Sequence, residues 1–202
     1  TKSIDKQLLF KKTCVSLQSI FAMQIMKTIF FSTHLLIHLL IQVPMSSPLR
    51  IAIIGGGAAG YFAAIEAKRN NANADITIFE KNKVVLAKVA ITGGGRCNLT
   101  NSFATISDAK QAYPRGHKLM KRLLKHFSHE DVYNWFECEG VPLVTQEDEC
   151  VFPASQDSQS IISCLTTLAT QLGIHQLCNH KLTDISQNED ATLHLCFANG
   201  TE

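Results

Sequence analysis

Residues 49–60 read LRIAIIGGGAAG. Leu49 to Ile54 is an almost unbroken apolar run, the pattern of a strand buried on both faces of a parallel sheet. Gly55, Gly57 and Gly60 then fit the spacing G-x-G-x-x-G. Residues 58–69, AAGYFAAIEAKR, are rich in helix formers. Ala59, Ala63 and Ala67 recur at i, i+4 spacing, so they are expected to share the face that packs on a sheet. Residues 74–79, ADITIF, predict a second strand, and Glu80 closes it. Strand, glycine turn, helix, strand and terminal acid make one βαβ unit. The fold class is therefore α/β, with a Rossmann-like dinucleotide-binding domain.

Each position in that unit has a physical task. Gly55 allows the tight turn, Gly57 lets backbone amides come close to a pyrophosphate, and Gly60 lets helix and strand pack tightly. Ala58 and Ala59 open the helix, whose N-terminal N–H groups carry partial positive charge. Glu80 can accept hydrogen bonds from a ribose hydroxyl. A lone G-x-G-x-x-G is weak evidence, but here it follows a strand, opens a helix and precedes an acid at the next strand's end, which is the confirming context.

A second glycine block follows at residues 91–102, ITGGGRCNLTNS. The first fingerprint does not choose between NAD and FAD. A nicotinamide-binding unit needs no further glycine loop just after its acid, whereas a longer two-part ligand such as FAD needs more backbone contacts. Gly93, Gly94 and Gly95 can supply a close approach. Arg96 can neutralise phosphate or a reduced flavin, with a structural ion pair as its alternative role. Asn98 and Asn101 can both donate and accept. Cys97 reads as a packed thiol, since Arg96 alone only hints at the electropositive setting a reactive thiol needs.

Composition narrows the class. Hydrophobic residues make up 46% of the 202 and charged residues 18%, which fits a globular chain. The seven cysteines are scattered and none forms C-x-x-C, so neither a zinc ribbon nor a thioredoxin-type motif is supported. Such cysteines suit a reducing compartment, and a cytoplasmic location is expected. The net charge of +2 arises in residues 1–44, where Lys2, Lys6, Lys11, Lys12 and Lys27 face only Asp5. The remainder is weakly acidic and gives no global reason to expect nucleic acid.

The domain organisation is uneven. Residues 28–44 contain no Asp, Glu, Lys or Arg, which sets them at the lower limit for a membrane span, and His34 and His38 weaken that reading. Met26-Lys27 before the apolar run also suggests a signal peptide, but the small-residue cleavage pattern is poor. Met45 opens MSSPLRIAIIGGG, the usual approach to a nucleotide-binding fold. Residues 1–44 are therefore expected to be a leader of doubtful origin, upstream sequence rather than anchor or targeting peptide, and no membrane contact is expected unless 28–44 is a genuine anchor.

These stretches together carry a resemblance. IAIIGGGAAGYFAAIEA, then IFEKN, then KVAITGGGRCNLTNS, resemble the N-terminal half of a family of FAD-dependent flavoproteins described as aminoacetone oxidase-like or NAD(P)/FAD-dependent oxidoreductases, some of which reduce bile-acid enones. GVPLVTQEDECVFPASQDSQSI, residues 140–161, resembles the same family around a V-F-P-x-S motif. The GGGRCNLTN block is the specific part. The resemblance implies that Gly55, Gly57, Ala58, Ala59, Gly60, Glu80, Lys81, Lys88, Gly94, Gly95, Arg96, Cys97 and Asn98 contact FAD. It also implies NAD(P)H as reductant, hydride transfer through flavin, and a small organic substrate or oxygen as acceptor. Two departures stand out. Val85-Leu86-Ala87 replaces the proline-glycine pair that many relatives carry before the basic residue matching Lys88. Cys150 replaces an arginine before V-F-P, so a positive charge is expected to be missing there.

Downstream, residues 116–127 predict an amphipathic helix with Leu119, Met120, Leu123, Leu124 and Phe127 on its apolar face. Lys118, Lys121, Arg122 and Lys125 form a basic stripe, read as a solvated face. His126 and His129 lack supporting ligands, and no metal is expected. Ser128 and Asp131 predict a cap for a helix over 129–139 that Gly140 ends. A helix over 157–172, short strands at 174–178, 180–186 and 191–198, and an Asn199-Gly200 turn complete the reading. Residues 45–202 are thus expected to be the N-terminal part of an FAD-binding domain, incomplete at the C-terminus. The catalytic acid or base is expected elsewhere, and the chain by itself is expected to lack turnover. A tRNA-modifying flavoprotein and a non-catalytic FAD-binding remnant are the alternatives.

Overall fold

A computed structural model describes residues 48–106 and 108–201. The expectations for residues 1–44 lie outside the described residues. Among the described residues, no helix is long and apolar enough to cross a membrane.

The chain opens with β1 (Arg50–Ile54), α1 (Ala58–Asn70) and β2 (Asp75–Phe79). β1 and β2 pair in parallel, with Ile51 beside Ile76 and Ile53 beside Ile78. A third parallel strand, β6 (His175–Leu177), joins the other side of β2, giving the order β1-β2-β6. α1 packs on this sheet beside α6 (Gln159–Gln171). The core forms where they meet: Tyr61, Ala64 and Ile65 of α1, Ile76 and Ile78 of β2, and Ile161 and Leu165 of α6 are all buried.

Two expectations for this unit are corrected. β2 is the central strand. β1 lies at an edge and alternates, with Ile54 49% exposed, because no described strand covers its outer side. The alanine face of α1 is only in part its core face: Ala67 is buried, but Ala63 is half-buried and Ala59 exposed. The larger side chains of Tyr61, Phe62 and Ile65 take the buried side, where each removes more apolar area from water.

Between β2 and α6 the chain builds a helical and antiparallel layer. α2 (Ala87–Ile91) runs into a 3-10 turn at Thr92–Gly95 and the short strand β3 (Thr100–Asn101). α3 (Ala109–Ala112), α4 (His117–Leu124) and α5 (His129–Cys138) follow. α5 begins with a full capping box: the Asp131 N–H donates to Ser128 Oγ, and the Ser128 N–H donates to the Asp131 carboxylate. The Trp135 and Phe136 rings on α5 meet edge to face, and the Trp135 indole donates to buried Glu66 on α1, tying the layers together. β4 (Leu143–Thr145) and β5 (Cys150–Pro153) form a hairpin to which β3 adds, in the order β3-β5-β4. After β6, β7 (Leu182–Gln187) and β8 (Leu193–Phe197) make a separate hairpin. Phe197 stacks on Phe79 at 4.6 Å, so this hairpin sits at the C-terminal end of β2.

Candidate functional site

The first glycine turn is built by backbone geometry. Gly55 adopts φ +107°, a conformation that favours glycine, and its N–H donates to the Phe79 carbonyl, joining the turn to β2. A Cβ on Gly60 would lie 1.9 Å from the Gly55 carbonyl oxygen, so only hydrogen fits where α1 crosses the turn. At Gly57 the position of a Cβ is open for 4 Å around. That glycine has an ordinary φ of −88°, so neither strain nor packing asks for it. What remains is room for something to approach the backbone. α1 has no side-chain N-cap and no acid in its first turn, which leaves its first N–H groups and its positive end free for an anion.

Glu80 completes the arrangement. It is only 8% exposed. One carboxylate oxygen accepts from the Gly56 N–H at 2.8 Å, and the other accepts from the Asn82 N–H and side-chain amide, each at 2.8 Å. Burial works to raise its pKa, but these donors and neighbouring Lys81 outweigh it and hold the carboxyl below the usual range. Glu80 therefore stays ionised. With one lone pair left on the oxygen facing Gly56, it can still accept from a ribose hydroxyl. The loop after Glu80 folds back over the turn: the Leu86 N–H donates to the Gly56 carbonyl, and a Cβ on Gly56 would meet Val85 at 2.7 Å. Leu86 takes φ +55° and is buried, so the segment that departs from the proline-glycine pattern still makes a left-handed turn.

The second glycine block is also a tight loop. Gly93, Gly94 and Gly95 all have positive φ, at +59°, +69° and +87°. A Cβ on Gly93 would lie 2.7 Å from the Asn98 nitrogen and 2.8 Å from the Phe152 ring. Gly94 has open space around it. The Gly95 carbonyl accepts from the Ser158 N–H at 2.9 Å, which anchors the loop to the start of α6.

Arg96 turns toward the V-F-P strand. Its guanidinium lies 4.2 Å over the Phe152 ring and donates to the Gly93 carbonyl at 3.1 Å and the Gln156 side chain at 3.2 Å. These partners are neutral. Arg96, which belongs to the GGGRCN block itself, stands beside V-F-P, while Cys150, in the place where many relatives carry an arginine, accepts from the Asn98 amide at 3.2 Å. Cys97 is buried, and burial pushes its thiol up to about 11, so it stays protonated at neutral pH.

The two glycine blocks meet at one cavity of about 740 Å³. Ala58 and Ala59 from the first, and Thr92, Cys97 and Asn98 from the second, line it with Lys88. Gly55, Gly57, Gly60, Glu80 and Lys81 gather at the first turn instead, and Gly94, Gly95 and Arg96 lie outside the cavity wall. Sequence reasoning missed the part of its wall that Phe103, Tyr113, Met120, Phe127 and Trp135 supply. It also missed Gln146 and Gln156 beside Arg96. The V-F-P motif was the one available signal for that side. Among the described residues, no group of three or more His, Cys, Asp or Glu is placed to hold a metal ion.

Comparison with known proteins bears on family and fold. A bile-acid reductase, the 3-dehydro-bile acid delta(4,6)-reductase of Clostridium scindens, is 33% identical over 116 residues, 57% of this chain and 27% of that protein. The ribosomal RNA dihydrouridine synthase of Haemophilus influenzae is 24% identical over 152 residues, 74% of this chain and 36% of that protein. The chain therefore spans well under half the length of these curated relatives. Among solved structures, the 3-ketosteroid-delta4-(5alpha)-dehydrogenase of Rhodococcus jostii superposes with a TM-score of 0.51 at 14% identity, covering 76% of this chain and 45% of that one. The quinol fumarate reductase subunit of E. coli gives 0.50 at 19% identity, covering 74% and 29%. These two structures support the fold alone. The HI0933-like protein Rossmann domain pattern matches residues 49–202, and the chain belongs to that family, with a Rossmann-like FAD-binding fold.

Proposed function

We propose that this chain forms the FAD site of a flavoprotein oxidoreductase that passes hydride between NAD(P)H and a small organic substrate. The observation that carries this reading is the open approach at Gly57 beside the uncapped start of α1, with ionised Glu80 beside the same turn. These residues fit the ADP half of FAD. The α1 N–H groups would hold its pyrophosphate, Glu80 its ribose, and Lys81 would add positive charge at the rim. Lys88, Asn98 and the open backbone of Gly94 and Gly95 would hold the remainder. When bound, FAD supplies the hydride-accepting and hydride-donating centre, and the protein orients and tunes it. Arg96, seated on Phe152 and bonded only to neutral groups, keeps a full positive charge beside the second loop. It would oppose negative charge on a reduced cofactor. The match to a bile-acid reductase supports an organic acceptor, and the separate, unbridged cysteines among the described residues suit a cytoplasmic protein.

The test is reconstitution followed by anaerobic reduction. The purified chain should retain FAD through gel filtration, and in a protein that extends this chain to the length of its relatives NADPH or NADH should bleach the visible absorbance. Retained flavin that neither nicotinamide bleaches would remove the hydride-transfer half of the reading. Absence of flavin from a folded chain would remove both halves.

One observation favours a second reading, an RNA-modifying flavoprotein. Lys110, Arg115, Lys118, Lys121, Arg122 and Lys125 are all exposed, and residues 109–127 contain no Asp or Glu. With a ribosomal RNA dihydrouridine synthase among the relatives, this face would dock a phosphate backbone. It predicts RNA binding that weakens steeply with salt, and a shallower salt dependence once Lys118, Lys121, Arg122 and Lys125 are changed to Gln. RNA binding unaffected by those changes would discard this reading.

A further inference from the structure

We infer that Glu66, Arg69 and Glu139 form a proton-linked latch between α1 and α5, in which proton uptake by Glu66 loosens Trp135 in the wall of the cavity. The latch lies outside both glycine turns and does not depend on which ligand they hold. Glu66 and Arg69 stand on α1, and Glu66 is buried. The Trp135 indole N–H on α5 donates to Glu66 Oε1 at 3.2 Å, and Arg69 Nη1 lies 3.4 Å from the same oxygen. Arg69 Nη2 is closer to Glu139 Oε1 at the end of α5, at 2.9 Å. The guanidinium also lies 5.6 Å over the Trp135 ring. Trp135, which lines the cavity, is thus held from α1 twice, at its N–H by Glu66 and on its ring by Arg69.

Two carboxylates here share one guanidinium. With both ionised, the cluster carries one uncompensated negative charge. The side chains of Arg69 and Glu139 are 31% and 18% exposed, whereas that of Glu66 is 9% exposed. The excess charge therefore weighs most on Glu66, the least hydrated of the three. One proton there makes the cluster neutral and leaves Arg69 with Glu139, its closer partner. Burial pushes the Glu66 carboxyl above the usual carboxylate range. The bonds from Trp135 and Arg69 oppose that without cancelling it, and repulsion by Glu139 adds to it. Cys164 on α6 feels the same pair, but burial, with Glu139 adding, pushes its thiol up to about 12, so it stays protonated throughout.

The proton has two opposite effects. Because the folded pKa of Glu66 is raised, its contribution to stability is fully present below the ordinary value of 4.5 and is lost as pH rises through the folded value. This is the reverse of Glu80. At Trp135, however, the N–H donates to a carboxylate on the alkaline side and to a neutral acid on the acid side, and the second bond is weaker. Falling pH therefore loosens Trp135 while it stabilises the fold. A merely structural hydrogen bond would move both together.

Trp135 is the only tryptophan in the chain, so its fluorescence reads the latch. The experiment titrates the full chain from neutral to acid pH and follows Trp135 emission and its quenching by acrylamide. The expected result is a one-proton transition centred above 4.5, with quenching higher on the acid side. Glu66→Gln should abolish the transition and melt above the wild type at neutral pH. Glu139→Gln should move the midpoint down by about one pH unit, because Arg69 is no longer shared, and Arg69→Gln should move it up by about as much. If Glu66→Gln does not fold, those two opposite shifts decide. Four results would overturn the inference: emission indifferent to pH, a transition that survives in folded Glu66→Gln, quenching that stays flat across the transition, or midpoints unmoved by both charge changes. No flavin enters these measurements, so failure of FAD binding leaves them able to decide.

Discussion

The glycines at 57 and 60 make opposite demands, and substitution separates them. A methyl group on Gly60 would drive into the Gly55 carbonyl at 1.9 Å. Gly60→Ala should therefore cost about 1–3 kcal/mol of stability, read as a lower urea midpoint, and FAD affinity should fall with it. A methyl group on Gly57 meets nothing within 4 Å. Gly57→Ala should cost no more than about 1 kcal/mol of stability, the usual cost of alanine at a helix N-cap, yet weaken FAD at least tenfold by isothermal titration, because the methyl fills the approach to the backbone. Glu80 predicts a pH dependence. Its folded pKa is depressed, so the stability it contributes is fully present above its ordinary value of 4.5 and is lost as pH falls through the lower folded value. Glu80→Gln should flatten the acid limb of a melting-temperature profile. An unchanged acid limb would mean that Glu80 gains nothing from the Gly56 and Asn82 donors. For Arg96, replacement by Lys should not restore FAD affinity lost in Arg96→Ala, since a lysine cannot reproduce the flat stack on Phe152.

At the scale of elements, local signals and long-range pairing were legible to different degrees. The start of α5 was readable because its cap is local: Ser128 and Asp131 lie one helical turn apart and bond reciprocally. Ser128→Ala should cost about 1 kcal/mol, measured by chemical unfolding, and it should leave the glycine turns unaffected. The β1-α1-β2 unit was readable because glycine spacing, apolar runs and the closing acid agree over a short span. The small sheet β3-β5-β4 was not. Its strands are two to four residues long. The turn joining β4 to β5 uses Glu149 at φ +67° rather than a glycine or asparagine, so no turn signal marks it. That sheet holds Phe152 under Arg96, and missing it meant missing why the arginine points where it does. The edge position of β1 was hidden for a related reason, since an apolar run reports burial of side chains but not which neighbour a strand pairs with.

Across the molecule, two layers serve one place. The parallel sheet with α1 and α6 presents the first glycine turn, and the layer from α2 to β5 presents the second. The Ser158 N–H bond to Gly95 and the Trp135 bond to Glu66 join them. The residues at the first turn were legible because backbone chemistry dictates glycine and acid at fixed spacing. The cavity wall was not, because Phe103, Tyr113, Met120 and Trp135 read individually as ordinary core residues and converge only through tertiary packing. The central claim is that this pair of layers holds FAD. The most direct measurement is FAD retention by the purified chain, wild type against Gly57→Ala, after gel filtration, with circular dichroism to check the fold of each. The account predicts visible flavin absorbance in the wild type and its loss in a variant that remains folded. Equal retention by both, or none by a folded wild type, would contradict it.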